Sequence, residues 1–325
     1  MDGNSQPKGS IRGIFLGGFS APADCVEMSM TKMPKVWRLH IRPYGEGVDP
    51  SKSFEFCKKE RVLGVGWPVD CAQEETLDLE EYRKRAAIGY TKAGELLVVH
   101  TIQDKIQQND LIWTRDRTGQ YYIARVNGPW CYRPDGREAG IVNVLPVHLC
   151  PVQPSGVPGK VENCFIPQLT LQPIRDPTAV EYSKLLWNQL AGEQRYVVDR
   201  EQRDIFSLID AEACEDVVCV YLQMNGYVFV PASRKRSTMR YEYVMIKRDG
   251  TGKEAIVQVK TGNVAINCGD FSTYDNVDVF LFATSGNYCG SPLPHIHCIL
   301  PSDMEQFMRC NPMLMPDRVR RWLSD

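Results

Sequence analysis

Glu242, Gln258 and Lys260 are the residues whose types and spacing best suit chemistry. Gln258 and Lys260 stand two apart in the run Glu254 to Lys260. On a strand they therefore share one face, while Val257 and Val259 share the other. Glu242 lies in the preceding run, Tyr241 to Ile246, and Asp249-Gly250-Thr251-Gly252 between the two runs has the composition of a hairpin turn. A carboxylate facing a Gln-x-Lys pair across a hairpin is the polar set that metal-dependent phosphodiester cleavage requires. Such cleavage needs a divalent ion to activate water and to offset charge on the phosphorane, and a lysine often assists the nucleophile. A further carboxylate is expected from Glu215, which starts the helical run 215–222, with Glu212 and Asp216 as its neighbours. The plain alternative for Glu242 and Lys260 is a solvated cross-strand ion pair worth roughly a few tenths of a kcal/mol.

Local charge fits the same chemistry. The net charge is −2, so the whole chain does not draw in nucleic acid and local patches must do so. From Ala232 to Lys260 there are eight Lys or Arg against three Asp or Glu, and Arg234-Lys235-Arg236 are expected to contact a DNA backbone. A second set of residues is aromatic. Trp67, Trp113 and Trp130 fall at strand ends or turns, with Asp116 and Tyr132 nearby, and rings so placed can stack an extruded base while a polar group reads its edge. Packing in a core is the competing role for each ring.

The elements that must hold these residues divide the chain. Residues 1–33 are expected to be a flexible leader without a secretory signal. Residues 34–150 read mainly as short strands: Trp37 to Ile41, Val62 to Trp67, Leu96 to His100, Asp110 to Arg115 and Tyr121 to Val126, with helices at Phe54 to Lys59 and Leu77 to Tyr90. That pattern suggests a small curved sheet or barrel. Residues 151–178 are proline-rich and read as a linker. Residues 179–325 give helices at Val180 to Leu190, Asp199 to Ile209 and Ala213 to Met224. Strands follow, among them the almost wholly apolar Val277 to Thr284, and then helical material from Ser302 to Leu323. This is the order of an α/β sandwich. No apolar run reaches the roughly 18 residues a membrane span needs. The 12 cysteines are scattered without a Cys-x-x-Cys spacing, so reduced thiols in a cytoplasmic protein are expected. His295 and His297 would share a strand face, and a structural role is the expectation for both.

The order helix-Glu, Gly-Tyr strand, strand-Glu and Val-Gln-Val-Lys over residues 195–325 resembles the restriction-endonuclease-like superfamily, in the Mrr-like variant with Gln-x-Lys in place of Glu-x-Lys. The resemblance implies that Glu242 binds Mg2+ or Mn2+, Gln258 completes its shell, Lys260 polarises the attacking water and Glu215 is the helix carboxylate. Phe54 to Trp67, Asp110 to Trp113 and Tyr122 to Val126 resemble a PUA-like barrel of the EVE type, similar to readers that hold modified bases in an aromatic pocket. Together they imply an α/β and α+β chain that acts as a modification-dependent DNA endonuclease of bacterial anti-phage defence. Its partner would be double-stranded DNA carrying a modified base, bound by a homodimer because cutting both strands needs two sites. A non-catalytic reader of modified nucleic acid and a nuclease effector switched on by a small ligand remain the alternative readings.

Overall fold

Seven strands build the first sheet: β1 (Val36–Leu39), β2 (Val62–Val65), β3 (Leu111–Arg115), β4 (Tyr121–Val126), β5 (Cys131–Tyr132), β6 (Asn143–Val152) and β7 (Leu171–Ile174). Their order in this computed structural model is β2-β6-β4-β3-β1-β7, with β5 paired to β6. The structure describes residues 33–45, 47–200, 203–235 and 240–324, so the leader expected over 1–33 lies, Met33 apart, outside the described residues. The sheet curls into a half-barrel because β6 serves two partners along its length. Asn143 to Pro146 pair with β2, and Val147 to Val152 pair with β4. Gly64 permits this closure, since a Cβ on it would stand 2.2 Å from the carbonyl oxygen of Asn143.

Three helices accompany the curled sheet: α1 (Pro50–Glu60), α2 (Leu79–Gly89) and α3 (Leu97–Lys105). Tyr82 and Ala86 of α2 and Val99 and Ile102 of α3 share a core with Trp37, Leu39 and Leu63. α3 replaces the strand expected at Leu96 to His100. Four consecutive apolar residues suit either element, and the buried pair Val99 and Ile102 shows the helical spacing that prevails. The proline-rich segment 151–178 is built into the sheet: it completes β6, turns at Pro154–Gly156, forms α4 (Gly159–Cys164) and returns as β7 antiparallel to β1.

The chain then runs through α5 (Pro177–Ala191), α6 (Ile205–Leu208) and α7 (Ala211–Met224). α6 is the helix found where Asp199 to Ile209 was expected, and residues 201 and 202 of that span lie outside the described residues. Aspartates fix the helix starts: Asp176 accepts from Ala179 N, and Asp210 accepts from Ala213 N. Seven further strands follow: β8 (Tyr227–Phe229), β9 (Tyr243–Lys247), β10 (Glu254–Lys260), β11 (Ile266–Asn267), β12 (Asp278–Ala283), β13 (Tyr288–Cys289) and β14 (Ile296–Ile299). Five of them form a mixed sheet in the order β14-β12-β10-β9-β8, while β11 and β13 make a small parallel pair. Helices α8 (Pro301–Cys310) and α9 (Asp317–Leu323) end the described chain.

The molecule is thus mixed α/β, and one core joins its two large sheets. Val36, Trp113 and Ile123 of the curled sheet, Leu186 and Trp187 of α5, Val217 of α7, Trp322 of α9 and Met245, Val257 and Phe282 of the second sheet belong to the same buried cluster. The opposite face of the second sheet has a separate cluster, in which Ile256, Val279 and Leu281 meet Ile266 and Phe271. No helix among the described residues is long and apolar enough to cross a membrane.

Candidate functional site

The second sheet assembles Glu242, Gln258 and Lys260 through strand register. β9 and β10 pair antiparallel with Val257 opposite Tyr243, and Glu242 N donates to Val257 O at 2.8 Å, so Glu242 stands opposite Gln258 just before β9 begins. Tyr243 and Val257 point into the core shared with α7, which turns Glu242, Gln258 and Lys260 to the other face. There Gln258 Nε2 donates to Glu242 Oε1 at 2.7 Å, and Lys260 Nζ lies 3.9 Å from the same oxygen. Gln258 is buried at 5% exposure, whereas Lys260 and Glu242 reach solvent. The three residues line a cleft of about 530 Å³ between the hairpin and the Ile266–Phe271 segment.

The donors that could hold a hard divalent cation lie at the floor of this cleft. Glu242 supplies a carboxylate and Gln258 an amide. The Val259 carbonyl also faces the site, because carbonyls two apart point to the same side of a strand and that of Val257 already accepts from Glu242 N. Beyond the end of β9 the Val259 oxygen instead accepts from Gln258 Nε2 at 3.0 Å. Turning the amide over presents its oxygen in place of its nitrogen, giving one charged and two neutral oxygen donors. Such a set holds Mg2+ weakly and leaves several water positions. Among the described residues no group of three His, Cys, Asp or Glu is arranged to hold a metal ion. Gln258→Glu therefore has a clear expected outcome. A second carboxylate beside Glu242 lowers stability by about 1–2 kcal/mol without metal, and Mn2+ restores it. Thermal melts in EDTA and in MnCl2 check this, and a melting temperature indifferent to Mn2+ contradicts the donor assignment.

Three residues missed in the sequence also line the cleft: Arg240, Asn267 and Asp270. Asp270 brings a second carboxylate to it, in a turn where Asn267 Nδ2 donates to Asp270 Oδ1 at 3.3 Å. No spacing rule links residue 270 to residue 258. Only the return of the chain through β11 places it there.

Glu215 takes a different place from the one expected. It lies on α7, across the sheet from the cleft, where Arg234 Nη2 pairs with it at 3.0 Å and Tyr243 OH donates to its backbone carbonyl. Burial pushes the Glu215 carboxyl above its ordinary value; Arg234 opposes that shift, and the charge of Glu242 adds to it. Arg234 is also not the free phosphate contact the sequence suggested, because Asp216 takes its other nitrogen at 2.9 Å. The side chain of Lys235 and all of Arg236 lie outside the described residues.

The aromatic set splits in the curled sheet. Trp130 Nε1 donates to Asn143 Oδ1 at 3.2 Å, and the Asn143 amide donates to Tyr82 OH at 3.0 Å and to the Trp67 carbonyl at 3.3 Å. Tyr82 lies 5.3 Å from both the Trp130 and Tyr132 rings, and Trp67 lies 5.7 Å from Tyr44. Trp67 adopts φ 64°, which is strained for a bulky residue, and its buried Nε1 has no partner among the described residues. Trp67, Trp130 and Tyr132 therefore belong to one cluster around a buried amide. Trp113 does not. It is fully buried against α5, with Nε1 donating to Ser183 Oγ at 2.9 Å. Nor does Asp116, whose carboxylate accepts from Thr118 N, Thr118 Oγ1 and Gln120 N and shapes the β3–β4 turn.

No protein-family model matches the chain, and comparison with curated proteins and with solved structures found no match.

Proposed function

We propose that this chain is a metal-dependent DNA endonuclease that acts on duplexes carrying a modified base. The observation that carries the reading is the convergence of Glu242, Gln258 and Lys260 at one solvent-reached cleft on the second sheet. The half-barrel then corresponds to a PUA-like reader and the second sheet with α7 to a restriction-endonuclease-like core. A divalent ion bound at Glu242 would activate water and offset charge on the phosphorane. Glu242 anchors that position, the Gln258 amide and the Val259 carbonyl fill its neutral sides, and the exposed Lys260 ammonium orients the attacking water and meets the scissile phosphate. Two copies acting on one duplex account for cutting both strands.

In the half-barrel, the partly buried Trp67 ring lies 5.7 Å from the exposed Tyr44 ring, so a flipped base would meet a stacking surface there. Stacking on one ring is worth about 1–3 kcal/mol. Trp67→Ala is accordingly expected to reduce preference for modified over unmodified duplex by roughly ten- to a hundredfold in competition binding. Its effect on cleavage at saturating DNA should be small, and retained preference contradicts the pocket.

The function is tested by incubating the protein and Mg2+ with duplexes bearing methylcytosine, hydroxymethylcytosine or methyladenine and with an unmodified duplex. Cutting confined to a modified substrate supports the reading. The bond from Gln258 Nε2 to Glu242 favours a second reading, a reader whose nuclease-like domain binds without cutting, because an amide nitrogen there competes with a cation. Binding to a modified duplex without cleavage in Mg2+ or Mn2+ supports that alternative.

A further inference from the structure

The chain leaves β1 with a charge pattern that the cleft around Glu242 does not use. Arg38, His40 and Arg42 have the same parity, so they share one side of the strand as it runs out of the sheet. β3 lies parallel to β1 with Trp113 opposite Arg38, and the same register brings Arg115 level with His40. The β3–β4 turn adds Arg117. His40, Arg42, Arg115 and Arg117 line a cleft of about 700 Å³ against Phe165 and the exposed Ile166. The Phe165 ring organises it: His40 meets the ring edge to face at 5.1 Å, and the guanidinium carbons of Arg115 and Arg38 lie 5.3 and 5.6 Å from its centre.

This positive charge is not paired with a carboxylate among the described residues. No ion pair there involves Arg38, Arg42, Arg115 or Arg117. Arg38 is fully buried yet bonds only the neutral Leu169 O and Gln172 Oε1, and its Nε has no partner. Arg42 donates to the Gln168 carbonyl, and Arg115 to Tyr121 OH at 3.3 Å. Asp116 lines the cleft too, but its Oδ1 accepts from Thr118 and Gln120 of its own loop and its Oδ2 from Tyr122 OH. His40 registers the field: burial, and then Arg38, Arg115 and Arg42, hold its imidazole down at about 4, so it is neutral at physiological pH. Three exposed arginine side chains around one carboxylate that pairs with none of them are stabilised by an added anion. Arg234, by contrast, is already neutralised by two carboxylates.

We propose that this cleft binds the phosphodiester backbone of a DNA strand, with Arg42, Arg115 and Arg117 neutralising successive phosphates and Ile166 covering a sugar. More than one cation lines the cleft and an apolar wall adjoins them, which suits a strand better than an isolated phosphate. The assignment rests on the reading of the chain as a DNA endonuclease and moves the main backbone contact from the 234–236 segment to the half-barrel. Arg42 and Arg117 are exposed, so replacing them leaves the core untouched.

The test measures binding of a fluorescent duplex in EDTA across a KCl series, and cleavage separately in Mg2+. The Arg42→Gln, Arg117→Gln double variant is expected to bind at least roughly tenfold more weakly than the unmutated protein at low salt. Its slope of log K against log salt should be about 1.8 smaller in magnitude, at roughly 0.9 for each duplex phosphate left unneutralised. Arg234→Gln should bind as the unmutated protein does. Unchanged affinity and slope in the double variant, or no duplex binding by the unmutated protein, overturns the proposal. Cleavage by the unmutated protein alongside unchanged binding of the double variant leaves the endonuclease reading standing without this cleft. Arginine-dependent binding without cleavage supports the cleft and removes the endonuclease reading.

Discussion

Replacing Lys260 with alanine should lower the rate of duplex cleavage by about 10²–10⁴-fold, the usual worth of a positioned group that handles a proton at the reacting water. The same change should leave folding nearly untouched. Lys260 is 46% exposed and 3.9 Å from Glu242, and an exposed pair of that kind contributes only about 0.2–1 kcal/mol. These magnitudes separate catalysis from structure. A surface ion pair predicts a small change in stability and no loss of rate beyond it, whereas the nuclease reading predicts a collapse in rate with unchanged melting temperature and duplex affinity. Gln258 sharpens the contrast because it is buried and hydrogen-bonded to both Glu242 and the Val259 carbonyl, which holds the floor of the cleft when Lys260 is removed. Single-turnover cleavage and a thermal melt on the same preparation provide both readouts.

Trp113→Ala should destabilise the protein by about 3–5 kcal/mol, the cost of emptying a large core site. The indole is fully buried among residues that join the curled sheet to α5, and its Nε1 bond to Ser183 disappears as well. Denaturant titration followed by circular dichroism measures the change. A shift below about 1 kcal/mol together with lost base discrimination would return Trp113 to the pocket expected from its place at the end of a strand. Trp67 gives the opposite pattern, with recognition affected more than stability, because its ring is only partly buried.

The two tryptophans show where sequence is informative and where it fails. Alternation was enough to put Gln258 and Lys260 on one face and Glu242 on the neighbouring strand, but the pairing of Glu242 with Gln258 comes from a five-residue loop, Arg248 to Gly252, where the composition marked a four-residue turn that would have set Glu242 opposite Val259. The burial of Trp113 depends on α5 arriving far later in the chain to cover a sheet face that looked free. Arg38 misleads in the same way. Its alternation with Trp37 and Leu39 reads as a solvated position, yet Phe165 and the Leu169–Gln172 segment enclose it. The pattern of Arg38, His40 and Arg42 was visible in the chain, but its meaning required Arg115 and Arg117 from β3 and the following turn. Asp270 and the pairing of Glu215 with Arg234 likewise come from the return of distant segments.

Two helix starts carry a chemical mark that the periodicity misses, since it sets them at Phe54 and Val180, three or four residues too late. Asp49-Pro50 and Asp176-Pro177 each supply a capping carboxylate and a residue already set for the first turn, and α1 and α5 begin there. α3 carries no side-chain cap, and the strand expected at Leu96 to His100 fell on it.

Single-turnover cleavage of an end-labelled modified duplex, in Mg2+ and in EDTA, by the unmutated protein and by Glu242→Ala tests the central claim most directly. The account predicts discrete products with the unmutated protein in Mg2+ only, and roughly a hundredfold or more slower cutting by the variant, a drop of the size expected when a catalytic group is removed. Cleavage by Glu242→Ala at the unmutated rate would contradict it.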